Sequence, residues 1–217
     1  MPTIASSTND GYIIHSSTSN WAGVRDATSG TSVYSSATRS TNAVYLAKVT
    51  GRSGTVWIVM RSFFDFDTSG ISVAPSSATL KIYGYSVGTA EVIPVKSTQG
   101  ASLHRDDFDA ITGWVAGADN DGNVTKYSSE ITSWSTSGYN DFTLTASALS
   151  DMASLSTFKV CLINYNYDLS NTEPALGVTV RSGCYYTEYT GTSTDPYIDY
   201  TEAVATTDNS IFFGANF

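Results

Sequence analysis

His15 and His104 are the only histidines in the 217-residue chain, and neither stands in a pattern that serves acid–base or nucleophilic chemistry. The run His104, Arg105, Asp106, Asp107 reads as a solvated loop rather than as part of a Ser-His-Asp arrangement. No Gly-x-Ser-x-Gly elbow, phosphate-cradling glycine loop or zinc-ligand spacing occurs. Asp65 and Asp67 are spaced as a carboxylate pair of the kind glycosidases use, but both fall on one face of a strand. Structural ion pairing with Arg61 or Lys81 is the stronger reading of that pair. The chain is therefore expected not to be an enzyme.

Binding chemistry is better represented. Asp119, Asp121 and Asn123 put oxygen-bearing side chains at alternate positions around Gly122, as a calcium loop does. A full loop of that kind would place ligands at 117 and 128, which are Gly117 and Ser128, so an ordinary turn is the first reading. A structural calcium there is the one cofactor the sequence suggests. Sugar rings stack their apolar faces on Trp or Tyr while neighbouring Asn, Asp or Arg side chains bond the hydroxyls. Tyr83, Tyr85, Tyr165, Tyr167 and Asp168 are the candidates for such contacts, with packing under loops or across strands as the competing reading. Trp57, Trp114 and Trp134 read as core or sandwich-edge residues, and Trp21 has no assigned place.

These residues need strands to position them. Val56, Ile58, Met60, Ser62, Phe64 and Phe66 alternate with Trp57, Val59, Arg61, Phe63, Asp65 and Asp67, and the first set forms the expected core face. Ala78, Leu80, Ile82 and Gly84 alternate in the same way with Thr79, Lys81, Tyr83 and Tyr85. Gly70 and Pro75 stop either run from continuing, which makes the two a long antiparallel pair in expectation. Further strands are expected at 12–14, 43–49, 90–96, 142–146, 158–165, 175–182, 185–189 and 197–201. Pro94 marks a sheet edge, a helical turn capped by an aspartate is expected within 106–114, and a short helix surrounds Leu149 and Met152. The fold class that follows is all-β, an antiparallel β-sandwich of jelly-roll type with very little helix.

Composition agrees with that class: Ser, Thr, Gly, Asn and Tyr abound, while charged residues make up 14%. A formal charge of −9, with eleven basic residues scattered, argues against nucleic acid. No apolar run reaches the length of a membrane span, so no membrane insertion is expected. The first residues lack the basic start and apolar centre of a signal peptide, which fits a virion component made in the cytosol or a module separated from its leader. Cys161 and Cys184 fall in neighbouring expected strands, leaving a disulfide and buried free thiols both open.

Arg61, Phe64, Asp65, Phe66, Asp67, Ser69, Gly70 and Ile71, followed by a Pro-containing loop and Ser77 to Tyr83, resemble a DNRLRE-type jelly-roll domain, a family related to carbohydrate-binding modules. The stretch from Tyr186 to Thr201, through Glu188, Gly191 and Pro196, looks like that family's closing segment, and with Ile131 to Trp134 the resemblance spans about residues 4–202. It implies a non-catalytic surface or adhesive role more than any one ligand. The expected organisation is one sandwich over 1–202, then a polar connector and apolar tail over 203–217. Ile211, Phe212, Phe213 and Phe217 are expected to dock on a partner, either another virion structural protein or a further copy of the chain in an oligomer. The expected role is that of a phage virion decoration or fibre component at the virion surface, able to bind cell-surface polysaccharide. The alternative is a carbohydrate-binding module of a secreted polysaccharide-degrading system.

Overall fold

The computed structural model describes residues 1–203; the connector and the tail residues Ile211, Phe212, Phe213 and Phe217 lie outside them. Eleven strands carry the fold: β1 (Thr3–Ala5), β2 (Gly11–Ser17), β3 (Ser32–Tyr34), β4 (Arg39–Gly51), β5 (Gly54–Asp67), β6 (Ser77–Gly88), β7 (Val92–Lys96), β8 (Tyr139–Thr143), β9 (Thr157–Asn164), β10 (Thr179–Tyr185) and β11 (Tyr197–Thr201). Among the described residues helix is confined to α1 (Trp21–Arg25), α2 (Ala146–Ser154), one 3-10 turn (Arg105–Asp107) and one π turn (Tyr165–Leu169). No helix among the described residues is long and apolar enough to cross a membrane.

The architecture is the antiparallel β-sandwich the alternation calls for. One layer holds β1, β11, β6 and β8, and the other holds β3, β2, β5, β9 and β7 with β4 and β10. The first half of β6 pairs with β11 and β8, while its second half pairs with β10, so this one strand stitches the layers together. Ala78, Leu80 and Ile82 of β6 pack with Phe142 and Ile198 against Phe64, Phe66, Phe158, Val160 and Leu162 of the facing layer.

Two sequence expectations are corrected here. β5 and β6 are not hydrogen-bonded partners: β5 pairs with β2, β4 and β9, and its side chains meet those of β6 across the sandwich. Nor is the second face of β5 an outer face. Val59 and Phe63 join Ile13, Leu46, Cys161 and Ile163 in a second core, roofed by α1 and the loops carrying Leu103, Phe108, Ile111, Val124 and Leu169. A central strand covered on both faces buries both sets of side chains, so its polar members must find partners inside. Arg61 is fully buried for this reason, and it pairs with Asp168 rather than with Asp65 or Asp67. Asp65 instead accepts the Ser7 hydroxyl, Asp67 caps the Ser69 N–H at 3.0 Å, and Lys81 pairs with Asp141 at 2.6 Å.

Smaller differences follow the same logic. The helical turn is capped by His104, not by an aspartate, and Asp107 closes the capping box by accepting the His104 N–H at 2.8 Å. α2 runs over nine residues with Thr145 as its cap and buries Ala148 and Met152. Trp21 is placed by α1, where its indole N–H donates to Asn171 at 3.1 Å. Cys161 and Cys184 are both free and buried, one in each core.

Candidate functional site

A strip of tyrosines runs along the outward side of β8, β11, β6 and β10, crossing from one layer to the other where β6 meets β10. Tyr83 sits directly opposite Tyr139 of β8 in the sheet register, their rings meeting edge to face at 5.0 Å between centroids. The strip continues from Tyr139 to Tyr197 at 5.1 Å, from Tyr83 to Tyr185 at 5.6 Å, and from Tyr185 to Tyr85 at 5.1 Å and to Tyr189 at 4.6 Å. Every contact is edge to face, the arrangement the ring quadrupole favours. All six residues are half-buried.

Alternation explains why they share a face. Tyr83 and Tyr85 are two apart in β6, with Ile82 and Gly84 turned to the core between and beside them. Tyr185 ends β10 opposite Arg39 of β4. Between Ser182 and Cys184, β10 meets bulges on both sides, since these two residues oppose Gly88 and Gly84 in β6 and Val44 and Ser40 in β4. Ser86, at φ 64°, lies in the β6 bulge. Gly183 makes room for both neighbours: a Cβ there would lie 2.2 Å from the Tyr85 carbonyl oxygen and 2.6 Å from that of Ser40. This close approach brings Tyr85 and Arg39 to either side of Tyr185.

Arg39 is exposed, with its guanidinium carbon 4.9 Å from the Tyr85 ring centroid and 5.3 Å from that of Tyr189. A polar contact to Tyr185 raises its pKa further above the usual arginine value. Arg39 also lines a cleft of about 460 Å³ with Tyr12, Tyr34, Ser35, Ser36 and Thr38. Tyr34 stacks on Tyr12 at 4.6 Å and is 49% exposed, so its outer face is a ready platform. At the other end of the strip, Tyr83 donates to Ser137 O at 2.7 Å and Tyr139 to Ser193 O at 3.0 Å. Burial and the neighbouring Tyr197 push the Tyr139 phenol up to about 12, so its hydroxyl stays protonated as a donor, and the two hydrogen bonds stiffen the strip.

The remaining sequence candidates lie elsewhere. Tyr165 is half-buried in the π turn and lines a separate cleft of about 470 Å³ with Lys126, Ser128, Glu130 and Ser147. The Asp121 charge beside it raises its phenol pKa. Tyr167 packs against the second core. Asp168 is fully buried and holds Arg61 and Arg25, so it is not available at the surface. In the acidic loop, Asp119 accepts the Asp121 N–H at 2.9 Å, Asp121 pairs with Lys126 at 2.9 Å, and Asn123 donates to Asp119 O at 3.1 Å. These three side chains fasten their own turn. No group of three or more His, Cys, Asp or Glu among the described residues is placed to hold a metal.

Both histidines are engaged with backbone: His15 Nδ1 lies 2.7 Å from Ser29 O, and His104 serves as a cap. Sequence reasoning found Tyr83 and Tyr85 but missed Tyr34, Arg39, Tyr139, Tyr185, Tyr189 and Tyr197. Tyr197 and Tyr139 open their strands and alternate outward, a signal that was present locally. That they converge depends on strand pairing, which local alternation does not carry. Comparison with known proteins by sequence finds no family model that matches the chain and no matching curated protein.

Proposed function

We propose that this chain is a non-catalytic adhesion protein, a phage virion decoration or fibre component, that binds glycans through the tyrosine strip and the Tyr34–Arg39 cleft. The observation that carries the reading is the strip itself. Six tyrosines along the outward side of β8, β11, β6 and β10, locked edge to face and flanked by an arginine, form a preorganised platform of half-buried aromatic residues. Such a surface suits sugar rings because the apolar ring face stacks while hydroxyls reach polar groups at the rim, here Ser35, Ser36 and Thr38. The resemblance to DNRLRE-type domains belongs to the same reading. Ile211, Phe212, Phe213 and Phe217 would supply attachment to other virion proteins or to further copies of the chain.

Absence of catalysis is supported by the use already made of the acid–base groups. Asp65 and Asp67 hold backbone and hydroxyl partners, and both histidines are structural. The platform serves equally a carbohydrate-binding module of a secreted degrading system, and the neighbouring genes separate the two, capsid and tail genes favouring the virion. The ligand reading is tested on a glycan array with wild type, Tyr85→Ala and Tyr34→Ala. Loss of binding in either variant at an unchanged melting temperature supports it; no bound glycan, or equal binding by all three proteins, overturns it.

A further inference from the structure

Arg39 differs from most other basic side chains of the chain in what it touches. Arg25, Arg61, Lys48, Lys81, Lys96 and Lys126 each hold a carboxylate within 4 Å. Arg39, among the described residues, is paired with none and is instead surrounded by Tyr85, Tyr185 and Tyr189. Among the described residues its polar contacts are to tyrosines, a long hydrogen bond from Nη1 to the Tyr189 hydroxyl at 3.4 Å and the contact to Tyr185.

A cation–π contact engages the charge of a guanidinium, not its N–H fork. Of its five donors in a fixed plane, most therefore remain without a carboxylate or carbonyl among the described residues, at an exposed position, on a side chain whose freedom two rings already restrict. The partner that fits a planar donor fork is a planar acceptor pair, a carboxylate held by two parallel N–H···O bonds. The cleft on the other side of Arg39 adds the exposed face of Tyr34 and the hydroxyls of Ser35, Ser36 and Thr38. Aromatic platform, hydroxyl rim and donor fork stand side by side.

We propose that the ligand of this site is a carboxylate-bearing polysaccharide of the uronate type, its acid group taken by Arg39 and its ring laid on Tyr34. This rests on the glycan-binding reading above and narrows it to one chemical class. The chain's formal charge of −9 repels a polyanion at long range, so affinity must come from these short contacts rather than from bulk attraction. That places the whole acid preference on one residue. Lysine at position 39 would keep the charge but lose the bidentate geometry.

The test is affinity gel electrophoresis of the full chain in polygalacturonate, alginate and hyaluronan, each beside its carboxyl-reduced neutral counterpart, with dextran sulfate as a further polymer. Wild type is expected to bind at least one uronate polymer tenfold or more tighter than its neutral counterpart. Arg39→Gln should abolish that ratio at an unchanged melting temperature, and Arg39→Lys should retain only part of it. Equal binding of acid and neutral forms, or of wild type and Arg39→Gln, overturns the inference, as does failure to bind any uronate polymer. Retention on dextran sulfate equal to that on the best uronate overturns the preference for carboxylate. Binding of a neutral glycan that Tyr34→Ala abolishes would leave the glycan reading standing without this one, whereas no glycan bound in any format removes both.

Discussion

Arg61 and Asp168 form a two-pronged ion pair with no solvent exposure, Nη2 to Oδ1 at 2.7 Å and Nε to Oδ2 at 2.9 Å. The remaining donors of Arg61 reach Phe108 O at 2.7 Å and Arg25 O at 2.8 Å, and its guanidinium lies 4.3 Å from the Trp114 ring centroid. Arg25 Nε donates to the Asp168 backbone oxygen at 2.6 Å and stacks on the same indole at 4.4 Å. One strand residue thus ties together α1, the loop carrying Phe108 and the π turn, all of which roof the second core. Two arginines share one aspartate here, and burial is the largest influence on Arg25, lowering its pKa. Removing Asp168 would leave Arg61 buried without its carboxylate, while Arg25 would keep Asp26 at 2.7 Å. Asp168→Ala is expected to cost roughly 3–5 kcal/mol, and Arg61→Met with Asp168→Leu less than the sum of the single changes. Urea denaturation of wild type, Asp168→Ala, Arg61→Met, Asp168→Leu and the double variant measures this; additive losses would show that the pair is not coupled.

Asp10 gives the fold a pH dependence. It is fully buried, its Oδ2 accepts the N–H and hydroxyl of Thr187 at 3.0 and 2.7 Å, and its Oδ1 has no hydrogen-bond partner. Glu188, whose buried Oε2 is also without one, Tyr186 and Cys184 are the titratable groups around it, and none is cationic at neutral pH. Desolvation pushes the Asp10 carboxyl up from 3.8 to about 8. The folded chain therefore holds this proton more tightly than the unfolded one. Its contribution to stability is full below 3.8, declines as pH rises from there, and is spent once the pH has passed about 8. Asp10→Asn keeps the shape without the charge. The stability of wild type minus that of Asp10→Asn should fall steadily between pH 5 and 8; a flat difference would show that Asp10 stays ionised in the fold.

Gly183 permits the approach of β4 and β6 that builds the tyrosine face. A methyl at this position meets two backbone oxygens, neither the movable end of a side chain, so strands must shift. Gly183→Ala is expected to destabilise the chain by about 1–3 kcal/mol and to displace Arg39 from Tyr85. Melting curves together with the tyrosine fluorescence of a Trp-excluded excitation difference would detect it, and an unchanged curve with unchanged glycan binding would contradict the packing described.

Cys161 and Cys184 should be silent to thiol reagents in the native chain. Each is fully buried, desolvation pushes both thiols up, and they lie in different cores. A Ellman titration should count no reactive thiol in buffer and two in denaturant. Fewer than two under non-reducing denaturing conditions would reveal a disulfide.

Local pattern alone was enough for much of the fold. The strand expected at 197–201 is found at those residues, those at 158–165 and the helix at 147–155 lie within one residue of their observed bounds, and Pro94 stands in a strand whose one full ladder is with β9. Alternation is a property of neighbours along the chain, and hydrophobic burial acts on it directly. Where the structure departs from local pattern, the deciding contact is remote. Arg61 looked outward because its alternation partners Asp65 and Asp67 are polar, yet its partner Asp168 lies 107 residues away on a turn that roofs the strand. Tyr83 and Tyr85 were visible as outward aromatics, but Arg39, Tyr139, Tyr185 and Tyr197 join them only through the register of β4, β8, β10 and β11. Strand register is set by which faces bury together in the whole sandwich, and a one-residue slip would turn each of these rings to the core. The sequence determined that there would be strands with tyrosines facing out; which tyrosines stand beside one another, and beside an arginine without a carboxylate, was decided by packing between segments far apart in the chain.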